Sequence, residues 1–126
     1  MTSIKSLKSV ANEAALMASG MTSSDMRGTP YFDIDVRRAG RHIELVFNRG
    51  GTDTVEASFS VSAFSGQIYD ASIPWAGERR DWSDLYLTID LDSPEETEHD
   101  TVKAMAGFLK EAMDLHMKAM SGVAGR

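Results

Sequence analysis

The sequence predicts an α+β domain: an N-terminal helix, an antiparallel meander of about five strands, and a long C-terminal helix packed on one face of the sheet. Three observations predict it. Apolar residues recur at three- and four-residue spacing at both ends of the chain, they alternate with polar residues through the middle, and glycine-containing turns separate the alternating stretches. The chain has 126 residues, the length of a single domain over residues 1–126.

The first helix is predicted over residues 3–19. Ser3 is a suitable N-cap, Gly20 suits the position after the last turn, and small apolar residues lie on one face between them. A helix of about 16 residues is marginal on its own. Its alanine-rich face therefore needs a packing partner.

The sheet is predicted over residues 31–92. Alternation of apolar and polar residues predicts its strands over residues 32–37, 42–47, 54–63, 68–73 and 85–92. Residues 74–83 are interpreted as a loop that carries both tryptophans. Strands joined in sequence by short turns form a meander with one face open to water.

The last helix is predicted over residues 94–120. Ser93 is the expected N-cap, Pro94 the first helical residue, and Glu96 the partner that completes a capping box. We expect the helix to end before Gly122.

The apolar face of this last helix is wider than a sheet requires. It extends over more than half of the circumference, about twice the stripe of roughly 100° that covers a sheet. Helix 1 is one candidate to cover the excess, and a second copy of the chain or another protein is the other. The homodimer hypothesis assigns the interface to Phe108, Ala112, Leu115, Ala119 and Met120.

Negative charge is concentrated in one short segment. The net charge is −6, and residues 1–63 contain seven acidic and seven basic side chains. Six carboxylates lie between residues 90 and 100, where there is no lysine or arginine. This segment predicts a surface that attracts a basic protein partner. Its members are Asp90, Asp92, Glu95, Glu96, Glu98 and Asp100.

A second candidate is a recognition loop between the two tryptophans. Trp75 and Trp82 flank Arg79 and Arg80, and tryptophans in a polar loop either pack back on the protein or contact a partner. Arginines beside aromatic rings also suit single-stranded nucleic acid. The net negative charge argues against that partner.

Several classes of chemistry are excluded or disfavoured. The chain contains no cysteine, which excludes disulfides, thiolate catalysis and iron–sulfur clusters. It has no glycine-rich phosphate loop, dinucleotide fingerprint, nucleophile elbow or paired-histidine zinc motif. His42, His99 and His116 are scattered. We therefore predict no catalytic residues, no cofactor and no metal. One alternative remains open, a metal-dependent hydrolase built on the strand carboxylates Asp33, Asp35, Asp90 and Asp92.

Together these features predict a non-enzymatic, acidic protein-binding module that acts as a homodimer, either chaperone-like or an adaptor. In size, charge and element order the chain is similar to type III secretion chaperones, although the helix that those proteins carry within the sheet has no counterpart here. An alternative is a small inhibitor that presents carboxylates to a nucleic-acid-handling enzyme. The sequence lacks an apolar run that could span a membrane and lacks a signal peptide, so the expected location is cytoplasmic.

Overall fold

The predicted α+β architecture is confirmed in the computed structural model, which describes residues 4–20 and 32–124. Two helices flank a five-stranded antiparallel sheet in which each strand pairs with the next along the chain. The elements are α1 (Ile4–Gly20), β1 (Phe32–Ala39), β2 (His42–Arg49), β3 (Val55–Ser62), β4 (Ile68–Ile73), β5 (Glu78–Asp81) and α2 (His99–Ala124). Short 3-10 turns lie at Pro74–Ala76, Ser83–Leu85 and Pro94–Glu96.

Both helices pack on the same face of the sheet. The strand register aligns Val36, Leu45, Phe59 and Ala71 in one row, and residues in such a row share a face. These residues belong to one buried cluster that also contains the inward sides of α1 and α2. The opposite face carries mainly serine and charged side chains and has no helix of the described residues over it.

An aromatic chain connects the sheet to α2. Phe47 contacts Phe59 edge-on at 5.7 Å between ring centroids, and Phe59 contacts Phe108 of α2 at 5.5 Å. Trp82 then packs edge-on against Phe108 at 5.6 Å. Edge-to-face pairs at such distances add stability beyond the burial of their area. The rings therefore position α2 on the sheet.

The location of the fifth strand corrects the sequence-based prediction. Residues 85–92 do not form a strand, and β5 lies instead at Glu78–Asp81, within the predicted loop. All four β5 residues are exposed, which suits a charged edge strand that needs no buried face. The alternation of apolar and polar residues in 85–92 reflects alternating burial of side chains and not strand pairing. Ile89 is fully buried, but among the described residues this segment makes a single β-bridge, from Thr88 to Gln67.

The boundaries of the last helix also differ from the prediction. Ser93 forms no capping bond with its side chain, and Pro94–Glu96 is a separate 3-10 turn. Thr97 then has an extended backbone, with ψ of 134°, which interrupts any continuous helix. Helix α2 consequently begins at His99 and continues to Ala124. Within the described residues, neither helix is apolar over a long enough stretch to cross a membrane.

Candidate functional site

A cleft with a volume of about 520 Å³ opens at one end of the sheet. Three segments enclose it: the β3–β4 turn at residues 64–65, the irregular segment 86–92, and the approach to α2 at residues 96–98 with Thr101. The volume lies within the range of about 300–1,000 Å³ that is typical of ligand sites. Segments distant in sequence therefore form one concave surface.

Backbone pairing holds segment 86–92 against the β3–β4 turn. The Ile89 N–H donates to the carbonyl oxygen of Gly66 at 2.8 Å, and the Ile68 N–H donates to that of Leu87 at 2.8 Å. Gly66 has a φ of +78°, a conformation that glycine adopts without strain. A glycine is therefore required where the turn meets the segment that lines the cleft.

Hydrogen bonds hold residues 90–93 against the turn that precedes α2, which forms the other wall of the cleft. One carboxylate oxygen of Asp90 accepts the N–H groups of Asp92 at 3.1 Å and Ser93 at 3.0 Å. The N–H of Asp90 in turn donates to the hydroxyl of Thr97 at 3.0 Å. These bonds bring the turn before α2 alongside segment 86–92.

The cleft is strongly acidic. Asp90, Asp92, Glu96 and Glu98 all line it, and its lining contains no lysine, arginine or histidine among the described residues. Glu95 and Asp100 are exposed beside it. Of these six carboxylates, only that of Asp90 forms hydrogen bonds with the described residues, and none of the six forms an ion pair with them. A concave surface with unneutralised charge of one sign concentrates the electrostatic potential. The structure thus brings four of the six predicted acidic residues, Asp90, Asp92, Glu96 and Glu98, to one cleft.

Two exposed aromatic rings also line the cleft. The side chain of Phe64 is 78% exposed and that of Tyr86 is 76% exposed. Tyr86 has a φ of +53°, an uncommon conformation for an aromatic residue. Neither ring was predicted from the sequence, because Phe64 follows the last alternating residue of its strand and Tyr86 occupies a position expected to be polar. Their only sequence signal was an aromatic residue next to a turn.

The predicted recognition loop does not expose its two tryptophans for a partner to contact. Trp82 is 8% exposed and packs on Phe59 and Phe108, and Trp75 is half-buried with its ring edge-on to His116 at 5.8 Å. Both tryptophans therefore pack back onto the protein.

The two arginines between the tryptophans lie on the edge strand β5 and are paired within the chain. Arg79 donates to Asp70 at 2.8 Å, and Arg80 forms two hydrogen bonds with Glu111 of α2. The guanidinium group of Arg80 also lies 5.5 Å from the centroid of the Phe108 ring. Hydrogen bonding from Arg80 holds the pKa of Glu111 below its ordinary value.

The predicted dimer interface is corrected in part. Phe108 and Ala112 are buried within the chain. Phe108 packs against Phe59 of the sheet and against Trp82. Leu115 is half-buried and Ala119 is exposed, whereas the side chain of Met120 lies outside the described residues. The excess apolar face that motivated a dimer is therefore largely covered by the chain itself.

The carboxylates of the hydrolase alternative lie far apart. Asp33 and Asp35 are on β1 at one edge of the sheet, whereas Asp90 and Asp92 follow the segment that pairs beside β4 at the other. Four strand spacings separate the two edges, about 19 Å. In residues 4–20 and 32–124, no group of three or more potential ligands could hold a metal ion. That arrangement of four aspartates is not formed.

A buried polar cluster at the opposite end of the sheet was also missed. Glu56 is fully buried at an irregularity in the β2–β3 pairing and accepts from Arg49 at 2.6 Å. Arg49 donates in addition to Nδ1 of His116 at 2.7 Å, so α2 is connected to the end of β2. The second carboxylate oxygen of Glu56 has no hydrogen-bond partner among the described residues. The polar alternation of β3 gave no indication that Glu56 faces inward.

Comparison with known proteins finds no matching family model, no similar curated protein and no similar solved structure. We therefore infer the function from the geometry and charge of the cleft.

Proposed function

We propose that this protein is a binding module that recognises a basic segment of a partner protein in the acidic cleft. The observation that carries the proposal is the coincidence of four lining carboxylates with two exposed aromatic rings in a cavity of about 520 Å³. Lysine and arginine side chains are attracted by the carboxylates, and their cationic groups also bind favourably to aromatic faces.

The absence of internal ion pairs at the cleft carboxylates, among the described residues, supports this proposal. Some carboxylates elsewhere in the described residues are neutralised by arginine, as Glu111 is by Arg80 and Glu56 by Arg49. The four carboxylates of the cleft have no ion-pair partner among the described residues. Like charges held close together repel each other, so a cationic ligand relieves that repulsion as it binds.

The structural role of Glu96 is smaller than the sequence suggested, whereas Asp100 lies in the first turn of α2. The capping box that would have explained Glu96 does not form, because Pro94–Glu96 is separated from α2 by the extended Thr97. Glu96 therefore has no capping function that would account for its position. Attraction of a partner explains the position directly.

A peptide titration tests the proposal. The probe is the synthetic peptide Thr-Lys-Val-Lys-Val-Lys-Thr with blocked ends, measured by calorimetry at rising salt concentration. We expect saturable binding that weakens with salt, since exposed charges are screened over a Debye length of about 10 Å at 0.1 M. The same peptide with glutamate in place of lysine is expected not to bind.

Matched variants locate the binding surface. The double substitution Glu96→Gln/Glu98→Gln should weaken binding by up to about 30-fold, because each lost rim charge contributes up to about 1 kcal/mol. The control Glu13→Gln/Asp53→Asn changes the net charge equally at exposed positions on α1 and in the β2–β3 turn. Equal weakening by both double variants would show that only net charge matters and would overturn the proposal.

A further inference from the structure

The outer edge of segment 86–92 offers unpaired backbone groups to the cleft. The inner edge uses the carbonyl of Leu87 and the N–H of Ile89 to pair with the β3–β4 turn and β4. In an extended chain, the groups of the intervening residue point the opposite way. The N–H and C=O of Thr88 accordingly point away from the sheet, and neither forms a hydrogen bond with the described residues.

Along this outer edge, the backbone groups of Thr88 have no partner among the described residues, whereas the next N–H on the same edge is paired. The N–H of Asp90, two residues further along the same edge, donates to the hydroxyl of Thr97. Thr88 is exposed and lines the cleft. The cleft therefore lies along a sheet edge with one free donor and one free acceptor, opposite Glu96 and Glu98.

We infer that the partner segment binds as an added β-strand, an inference that rests on the proposed function and specifies its binding mode. An extended chain pairing at Thr88 would donate one N–H and accept one, as neighbouring antiparallel strands do. Side chains of a strand alternate between two faces. The inference therefore specifies an extended partner segment with lysine or arginine at alternate positions.

The charge of the cleft decides the class of partner. Phosphates of a nucleic acid would be repelled by the four lining carboxylates, whereas a basic protein segment is attracted. A small organic cation would satisfy the charges but would leave the backbone groups of Thr88 unpaired. Only a polypeptide satisfies both features.

The first test measures the Thr88 amide directly. Hydrogen exchange of that amide is followed by NMR in the full chain, with and without the lysine probe described above. At saturation, we expect exchange to slow about tenfold or more, because the amide acquires a hydrogen bond. The exposed amide of Thr52, which already donates to Arg49 at 2.9 Å in a remote turn, should be unaffected.

The second test removes donors from the probe and leaves the protein unchanged. Two probes carry N-methyl groups on alternate amides, in opposite phase. Because only one edge of an added strand faces Thr88, one phase should weaken binding about tenfold and the other should not. In the protein, Thr88→Pro removes the N–H and should weaken binding, whereas Thr88→Val retains it.

The outcomes separate the binding mode from the proposed function. If the probe binds and Glu96→Gln/Glu98→Gln weakens it, but Thr88 exchange is unchanged and both methylated probes bind alike, the strand mode is overturned and the proposed function stands. If the lysine probe does not bind at all, both are overturned.

Discussion

The carbonyl oxygen of Ile89 lies in the space that a side chain on Gly66 would have to occupy. The same two residues are joined by a hydrogen bond of 2.8 Å from the Ile89 N–H to the Gly66 oxygen. This close approach holds the lining segment of the cleft to the β3–β4 turn, and it makes the geometry of the cleft depend on a single glycine.

We predict that Gly66→Ala destabilises the protein by more than the conformational cost alone. Alanine at a positive φ costs about 1 kcal/mol, and displacing Ile89 adds strain of about 1–3 kcal/mol. Urea unfolding measures the change. The matched control is Gly77→Ala, which has a φ of +68° but open space around a new Cβ. Equal losses in the two variants would contradict the close approach.

A second prediction concerns the buried pair of Arg49 and Glu56. Arg49→Met should lower the free energy of unfolding by about 3–5 kcal/mol, because it leaves the fully buried carboxylate of Glu56 unpaired. The double substitution Arg49→Met/Glu56→Met removes both charges and should be less destabilising than the single one. A double variant at least as unstable as Arg49→Met would show that the pair is not coupled.

The pair of Arg80 and Glu111 predicts a pH-dependent contribution to stability. Arg80 lowers the pKa of Glu111 from its ordinary value of 4.5, so the pair stabilises the folded state above that value. The contribution is lost as pH falls through the lowered pKa. Both side chains are more than two-fifths exposed, so solvent screening limits it to about 1 kcal/mol or less.

Urea unfolding of the wild type and Glu111→Gln measures this contribution. The variant should be less stable at neutral pH, and the difference should shrink as pH falls below 4.5. Lys103→Gln, at an exposed position of α2 with no ion pair among the described residues, serves as a control for loss of a charge on the same helix. A difference that grows on acidification would contradict the sign of the pKa shift.

Burial of Phe108 predicts that this residue stabilises the monomer. Phe108→Ala should lower the free energy of unfolding by about 3–5 kcal/mol, and Leu115→Ala, at a half-buried position, should cost less. Any dependence of the unfolding midpoint on protein concentration should be the same in the wild type and in Phe108→Ala. A wild-type midpoint that rises with concentration, and no longer does so in Phe108→Ala, would restore Phe108 to a dimer interface.

Local periodicity was sufficient for the elements that bury a continuous face. Spacing in α1 and α2 and alternation in the first four strands predicted those elements, since each has one side turned to the core. The same rule failed at residues 85–92. There Leu87 and Ile89 face inward from a chain that makes only one bridge, because burial alternates in any extended segment. The rule of alternation also failed to predict β5, an exposed edge strand that is held to β4 by backbone pairing.

Sequence by itself determined the fold class, the absence of cysteine chemistry and the position of the acidic segment, because composition and periodicity are properties of the chain alone. Tertiary structure decided that Phe108 is covered internally and that Phe64 and Tyr86 join the acids around one cleft. It also decided that the backbone N–H and C=O of Thr88 have no partner among the described residues. These relationships depend on contacts between segments distant along the chain, and the spacing of residues does not specify such contacts.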